Sequence, residues 1–211
     1  IYQQMDFNLT YNSNGGTACN SRKVTYNKAF GALCNPTRTG YTFDGWYLNG
    51  TPVTASTVNT NYNNVTLTAK WTANKYVVIY NCNGGTPTGS YSSEHTYDQV
   101  SNLLSNRCTK TGFVFTYWKD SEGKTYTNQN EIKNLRSENN DSITLTAQWE
   151  PLIYYIAFNA NGGSGSMEKM TVTYGHVVNL KTNSFTRTGH RFDGWSGSDG
   201  KSYSNEASIT N

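Results

Sequence analysis

The sequence predicts a mainly β chain, α+β in class, made of small domains in tandem and read as an elongated array whose third member is incomplete. Three observations carry this. Charged residues make up only 15% of the chain and aromatics 14%, with 16 tyrosines, a balance that suits short strands with polar faces. One Asn-Gly-Gly motif recurs three times, and self-similarity at this scale marks a repeat architecture. Each copy follows a segment that alternates with period two, the mark of a half-buried strand.

Each repeat has the same stations in order. The first is the alternating strand: Phe7, Leu9 and Tyr11, then Tyr76, Val78 and Tyr80, then Tyr154, Ile156 and Phe158. The second is the turn, at Asn14-Gly15-Gly16, Asn83-Gly84-Gly85 and Asn161-Gly162-Gly163. Asn and Gly accept positive φ at little cost, so a hairpin turn is expected there. A short strand follows at Val24-Thr25-Tyr26, His95-Thr96-Tyr97 and Val172-Thr173-Tyr174. The segments 31–37, 100–107 and 177–185 are the only places for a helix, with one short turn hinted at Val100 to Leu104.

The most specific station comes next. It reads Arg38-Thr39-Gly40-Tyr41-Thr42-Phe43-Asp44-Gly45-Trp46, Lys110-Thr111-Gly112-Phe113-Val114-Phe115-Thr116-Tyr117-Trp118 and Arg187-Thr188-Gly189-His190-Arg191-Phe192-Asp193-Gly194-Trp195. Two repeats then close with Val65-Thr66-Leu67-Thr68-Ala69-Lys70-Trp71 and Ile143-Thr144-Leu145-Thr146-Ala147-Gln148-Trp149, apolar at one parity and polar at the other. The expected units are therefore 1–74, 75–152 and 153–211, joined by connectors too short to be free tethers. No such closing strand follows Asn205. Either the natural protein continues, or a neighbouring molecule supplies the strand by β-augmentation. Continuation is the favoured expectation, because an unfinished sheet edge invites aggregation.

Asn-Gly-Gly, Thr-Gly-Tyr-Thr-Phe-Asp-Gly-Trp and Thr-Leu-Thr-Ala-Lys-Trp together resemble the Listeria–Bacteroides repeat, also called the internalin-type B repeat. The resemblance covers essentially the whole chain. It implies a β-grasp-like domain of roughly 70 residues, and placement in secreted or surface-anchored proteins as stalk, spacer or adhesive module. Two departures stand out. Thr116-Tyr117 replaces Asp-Gly in the second repeat, so its turn before Trp118 is expected to differ, and His190 replaces the aromatic residue at that position in the others.

Four cysteines stand at 19, 34, 82 and 108 with no Cys-x-x-Cys pair, which speaks against a zinc knuckle or a thioredoxin-type site. Three pairings are open, and buried free thiols remain the alternative. Because Cys19 and Cys34 share one repeat and Cys82 and Cys108 the next, 19–34 and 82–108 are preferred. They do not align between repeats and the third has none, so they read as additions to a scaffold that does not need them.

Chemistry-bearing candidates dissolve into this architecture, and no cofactor or metal is expected. His95, His176 and His190 lie far apart and at different stations. Asp44 and Asp193 read as turn formers before Gly; the same Asp repeated in separate domains does not flank one substrate. Asp120 to Lys124 and Ser198 to Lys201 lack the ligand spacing of a calcium loop and read as hairpin turns. Asn-Gly-Gly has no following Lys-Ser/Thr and opens no helix, so it is no phosphate loop. Trp46, Trp71, Trp118, Trp149 and Trp195 recur with the repeat and are expected in the cores. Asn8, Asn49, Asn64 and Asn140 head glycosylation sequons that matter only in a eukaryotic secretory context.

The formal charge of +3 is small and scattered, which excludes a nucleic-acid partner. No apolar run reaches the roughly 18 residues of a membrane span. Residues 1–11 lack a signal-peptide pattern, and the opening Ile reads as that of a processed product or fragment. The leading expectation is a non-enzymatic structural segment of an extracellular or cell-surface protein, its partners being the adjacent repeats. The alternatives are a module binding a glycan or a host or matrix protein through exposed Tyr47, Tyr62 or Tyr126, and a self-associating filament subunit completed by strand donation.

Overall fold

A computed structural model describes residues 2–87 and 89–210. Ile1 and Asn211, on which the readings of an excised start and a stopped third repeat turn, lie outside the described residues. Every element among the described residues is a strand.

The first repeat contributes β1 (Asp6–Asn12), β2 (Arg22–Thr25), β3 (Tyr41–Leu48), β4 (Thr51–Val53) and β5 (Val65–Ala73). They form one sheet in the order β2-β1-β5-β3-β4. The first and last strands meet at its centre in parallel, Leu9 opposite Val65 and Tyr11 opposite Leu67. This mixed sheet fits the β-grasp-like expectation, without a helix across it. Alternation explains the closing strand's central place: Val65, Leu67 and Ala69 are buried while Thr66 and Lys70 face water. Leu9, Val24, Phe30, Trp46 and Val53 complete the core. Each large aliphatic side chain so buried contributes about 1.5–3 kcal/mol.

The second repeat contributes β6 (Lys75–Asn81), β7 (Ser90–Thr96), β8 (Ser101–Asn102), β9 (Phe113–Lys119), β10 (Thr125–Tyr126), β11 (Glu131–Ile132) and β12 (Asp141–Pro151). Its sheet, in the order β10-β9-β12-β6-β7, is the first one read from the opposite edge. The third contributes β13 (Ile153–Ile156), β14 (Met170–Thr173), β15 (Val178–Asn179), β16 (Trp195–Ser196), β17 (Ser202–Tyr203) and β18 (Ser208–Ile209). These form three separate two-stranded ladders, β13-β14, β15-β18 and β16-β17, with no central strand among the described residues.

By compactness the chain divides into one unit of residues 1–81, 90–106 and 120–145 and another of 82–89, 107–119 and 146–211. The first holds the first repeat's sheet, the β6-β7 hairpin and the β8-β11 ladder. The second holds the pairing of β9 with residues 146–151 and the ladders of the third repeat.

Three sequence expectations are corrected. The segment around Val100 to Leu104 is not helical: Ser101 and Asn102 pair with Ile132 and Glu131. Its purpose is to drive one apolar plug inward. Phe30, Leu103 and Leu180 are all buried, and each backbone N–H is bonded to a carbonyl across the ladder, on Thr57, Asn130 and Ala207. Asp44-Gly45 is not a turn but a bulge inside β3, where Phe43 faces Trp71, Gly45 faces Lys70 and Asp44 is the extra residue. Gly45 takes φ 123° there, a value that favours glycine. The second repeat keeps the same bulge with different residues: Phe115 faces Trp149, Tyr117 faces Gln148, and Thr116 is extra. The Thr116 hydroxyl donates to the Gln148 carbonyl at 3.0 Å, anchoring the bulge without a glycine.

Candidate functional site: the strand clasp and the repeat joint

The Asn-Gly-Gly turn does more than reverse the chain. Asn14 and Gly15 take positive φ (48° and 89°), and the Asn14 N–H bonds the Asn12 side chain at 3.0 Å. This geometry aims three groups at the closing strand. The Trp71 indole N–H donates to the Ser13 carbonyl at 2.9 Å, and the Asn14 side-chain amide donates to the Ala69 carbonyl at 3.3 Å. A Cβ on Gly16 would stand 2.4 Å from the Trp71 ring, so that glycine is what lets the indole in. The second repeat repeats all three. Trp149 donates to the Cys82 carbonyl at 2.9 Å, Asn83 to the Ala147 carbonyl at 3.0 Å, and a Cβ on Gly85 would meet Trp149 at 2.9 Å. Each such hydrogen bond is worth about 0.5–1.5 kcal/mol net. The turn is a clasp on the closing strand.

The clasp loop is also tied to the segment that leads into the Thr-Gly motif. Backbone N–H groups of Thr17, Thr86 and Ser164 donate to the carbonyls of Thr37, Thr109 and Thr186. Disulfides Cys19–Cys34 and Cys82–Cys108, separated by 15 and 26 residues, join these same two segments. In the chain-entropy model each adds about 3 kcal/mol. The third repeat makes the link without a disulfide, the Ser184 hydroxyl adding a bond to the Ser166 carbonyl at 3.2 Å.

A second constellation lies where one repeat meets the next. The Asn74 N–H donates to the Gly40 carbonyl at 2.9 Å, and the Asn74 carbonyl accepts from the Tyr97 N–H at 2.8 Å. The Tyr97 ring lies on Gly40, where a Cβ would come within 2.2 Å of it, and meets Tyr41 edge-on at 5.9 Å. The Tyr41 hydroxyl donates to Asp98 at 2.7 Å, and hydrogen bonds from Asn134 and Tyr41 hold the Asp98 carboxyl below its usual range. Asn74, 7% exposed, accepts from the Thr42 hydroxyl and donates to the Ser137 carbonyl, so its whole side chain is engaged. The next joint has the same backbone relay. Leu152 N–H donates to the Gly112 carbonyl at 2.8 Å, and the Leu152 carbonyl accepts from the Tyr174 N–H at 2.8 Å. The Tyr174 ring lies on Gly112, edge-on to Phe113 at 5.6 Å. At Gly189, by contrast, nothing stands within 4 Å of where a Cβ would be.

Of the five tryptophans, Trp46 and Trp118 are buried (2% and 0% exposed), while Trp71, Trp149 and Trp195 are half-buried. His95 is buried, its ring nitrogens 2.7 Å from the hydroxyls of Ser93 and Ser101, and burial lowers its pKa. His176 and His190 are exposed. Asp120 accepts from the backbone of Glu122 and Lys124 and from the Tyr126 hydroxyl. Burial, which would raise that carboxyl, is outweighed by these bonds, and it sits below its usual range. Asp199 repeats the arrangement with Lys201 and Tyr203. Among the described residues no three His, Cys, Asp or Glu side chains are grouped to hold a metal.

Tyr126 is corrected as an exposed contact residue: it is 4% exposed, and burial followed by the Asp120 bond pushes its pKa up to about 12. Tyr62 is open to solvent and stacks on Tyr26 at 4.4 Å; Tyr47 lies under the Lys70 ammonium at 3.9 Å. Asn8, Asn49, Asn64 and Asn140 are exposed. No helix among the described residues is long and apolar enough to cross a membrane.

In the sequence alone Asn-Gly-Gly is a turn and Thr-Gly the start of a strand, and neither the clasp nor the joint is visible there. The available signal was pairing: Asn-Gly-Gly with Ala-x-Trp, and Thr-Gly-aromatic with Thr-Tyr of the following repeat.

Two similar proteins are known from Evansella cellulosilytica. One, provisionally named a Gly-rich membrane protein, is 26% identical over 201 residues, spanning 92% of this chain and 22% of its own length. The other, provisionally named a membrane protein, is 26% identical over 200 residues, spanning 92% of this chain and 29% of its own. The chain thus spans less than a third of either relative. The sequence model of the Listeria-Bacteroides repeat domain matches residues 7–70, 76–148 and 154–211. With three matches that leave only short connectors between them, the chain belongs to the Listeria-Bacteroides repeat domain family.

Proposed function

We propose that this chain is a non-enzymatic spacer segment of an extracellular or cell-surface protein, in which successive repeats dock through the joint rather than hang on tethers. The observation that carries this is the repeated relay of Gly40, Asn74 and Tyr97 and of Gly112, Leu152 and Tyr174. A joint that seats a ring on a glycine and bonds both strands of backbone limits bending, which is what a spacer needs. Membership of a repeat family and the membrane-protein names of the relatives support the surface location.

The test is small-angle scattering combined with a glycan array. A spacer gives the profile of an extended monomer and no glycan signal. A compact profile, or saturable binding to one glycan class, would replace this reading with that of an adhesive module.

A further inference from the structure

In the two repeats that hold a five-stranded sheet, Asn-Gly occurs three times, at Asn14-Gly15, Asn49-Gly50 and Asn83-Gly84. In this dipeptide the backbone nitrogen attacks the preceding side-chain amide most readily, because glycine puts no side chain in the way. The three sites share one backbone state. The Asn φ values are 48°, 48° and 50°, and the Gly values 89°, 84° and 78°. All six residues are exposed, so water reaches each site.

What separates them is the hold on the side chain. In the clasps the Asn14 amide donates to the Ala69 carbonyl at 3.3 Å and the Asn83 amide to the Ala147 carbonyl at 3.0 Å. The peptide after Asn14 is pinned as well. Its carbonyl accepts from Arg38 at 3.2 Å, and a Cβ on Gly15 would meet that guanidinium at 3.3 Å. Asn49 and Gly50 instead form the two-residue tip of the β3–β4 hairpin, between the paired Leu48 and Thr51. Among the described residues no hydrogen bond engages the Asn49 side chain, and nothing stands within 4 Å of where a Cβ on Gly50 would be.

We propose that Asn49 is a self-modification site, where the chain deamidates without an enzyme while the clasps protect Asn14 and Asn83 from the same reaction. The Gly50 nitrogen gives its proton to water and attacks the Asn49 side-chain carbonyl carbon. The new C–N bond closes a five-membered imide, and the amide nitrogen leaves as ammonia. Water then adds to one of the two imide carbonyls and breaks its C–N bond. The product is aspartate on the original backbone, or isoaspartate with Cβ in the main chain. In sum, one side-chain amide and one water give one carboxylate and one ammonium. Asn14 and Asn83 are spared because attack requires the side chain to leave its carbonyl partner. The product puts a negative charge at residue 49, which lines a shallow surface depression with Tyr47, Thr66, Thr68 and Lys70. The isoaspartyl form lengthens the tip that sets the register of β4, whose Val53 is buried in the core. The proposal does not depend on the spacer reading.

The test is incubation of the 211-residue chain, disulfides intact, in mildly alkaline buffer, followed over time by peptide mass spectrometry. The expected result is the amide-to-acid mass change at Asn49 first, with Asn14 and Asn83 about two- to tenfold slower. In denaturant, which opens the clasps, the three rates should converge. Amide hydrogen exchange on the isoaspartyl fraction should quicken at residues 51–53 and stay unchanged at the first clasp. Asn14 or Asn83 reacting as fast as Asn49 in the folded chain would overturn the proposal. So would a rate order that survives in denaturant, since neighbouring sequence rather than the clasp would then set it.

Discussion

Trp118 and Trp195 occupy the same station of the same motif, yet the first is 0% exposed and the second is half-buried. Their neighbours are alike: Phe115 lies 4.9 Å from Trp118, and Phe192 4.8 Å from Trp195. What differs is β12, whose Ile143, Leu145 and Ala147 are buried in the second repeat's core. The comparison teaches that the motif gathers the aromatic cluster, while the closing strand makes it a sealed core.

Replacing each tryptophan tests this most strongly. Trp118→Ala should cost about 3–5 kcal/mol, read from the exchange-derived stability of second-repeat amides. Trp195→Ala should cost about 1–2 kcal/mol, because its site is already partly solvated. Equal losses would show that the third core is as closed as the second.

The joints offer the next contrast. Gly40 and Gly189 have similar φ, 78° and 72°, but only Gly40 bears a ring. Gly40→Ala should cost about 2–4 kcal/mol, combining left-handed strain with displacement of Tyr97. Gly189→Ala should show the strain alone, about 1–2 kcal/mol. Thermal unfolding of the two variants measures the difference, which is the worth of the seated ring.

The smallest effect concerns one side chain. His95 stands where the other repeats bury Val24 and Val172. Burial lowers its pKa below the ordinary histidine value of about 6.5, so the unfolded chain binds the proton more readily than the folded one. Stability is therefore full above about pH 6.5 and falls as pH drops below that value. Urea midpoints taken across this range should show the step in the wild-type chain and lose it in His95→Gln. A midpoint that rises toward acid would reverse the sign.

Much of this was legible in the residues. Period-two alternation located β1, β6 and β13, and the Thr-Leu-Thr-Ala-x-Trp segments located β5 and β12, because a strand buried on one face must alternate. The centre of the sheet was not legible, since alternation says which face is buried but not which strand is the neighbour. The clasp escaped for a related reason. Asn14 and Gly16 satisfy a turn locally, so nothing in their immediate sequence reveals that they also hold Ala69 and Trp71. Asp44-Gly45 misled because Asp followed by a glycine at positive φ serves a turn and a bulge alike, while Thr116-Tyr117 shows that the bulge forms without either. His95 could be read only as an isolated histidine until Ser93 and Ser101 were seen on either side.

The joint has a further consequence. A repeat carries its glycine seat at the Thr-Gly motif and its tyrosine at the end of its second strand, so the two halves of the contact are encoded within every copy. Duplicating one copy inside the gene therefore brings a glycine seat and its tyrosine with it, and deleting one leaves a seat and a ring that can meet again. Length becomes a quantity that heredity can adjust by whole steps, without the compensating substitutions that a unique domain interface would demand.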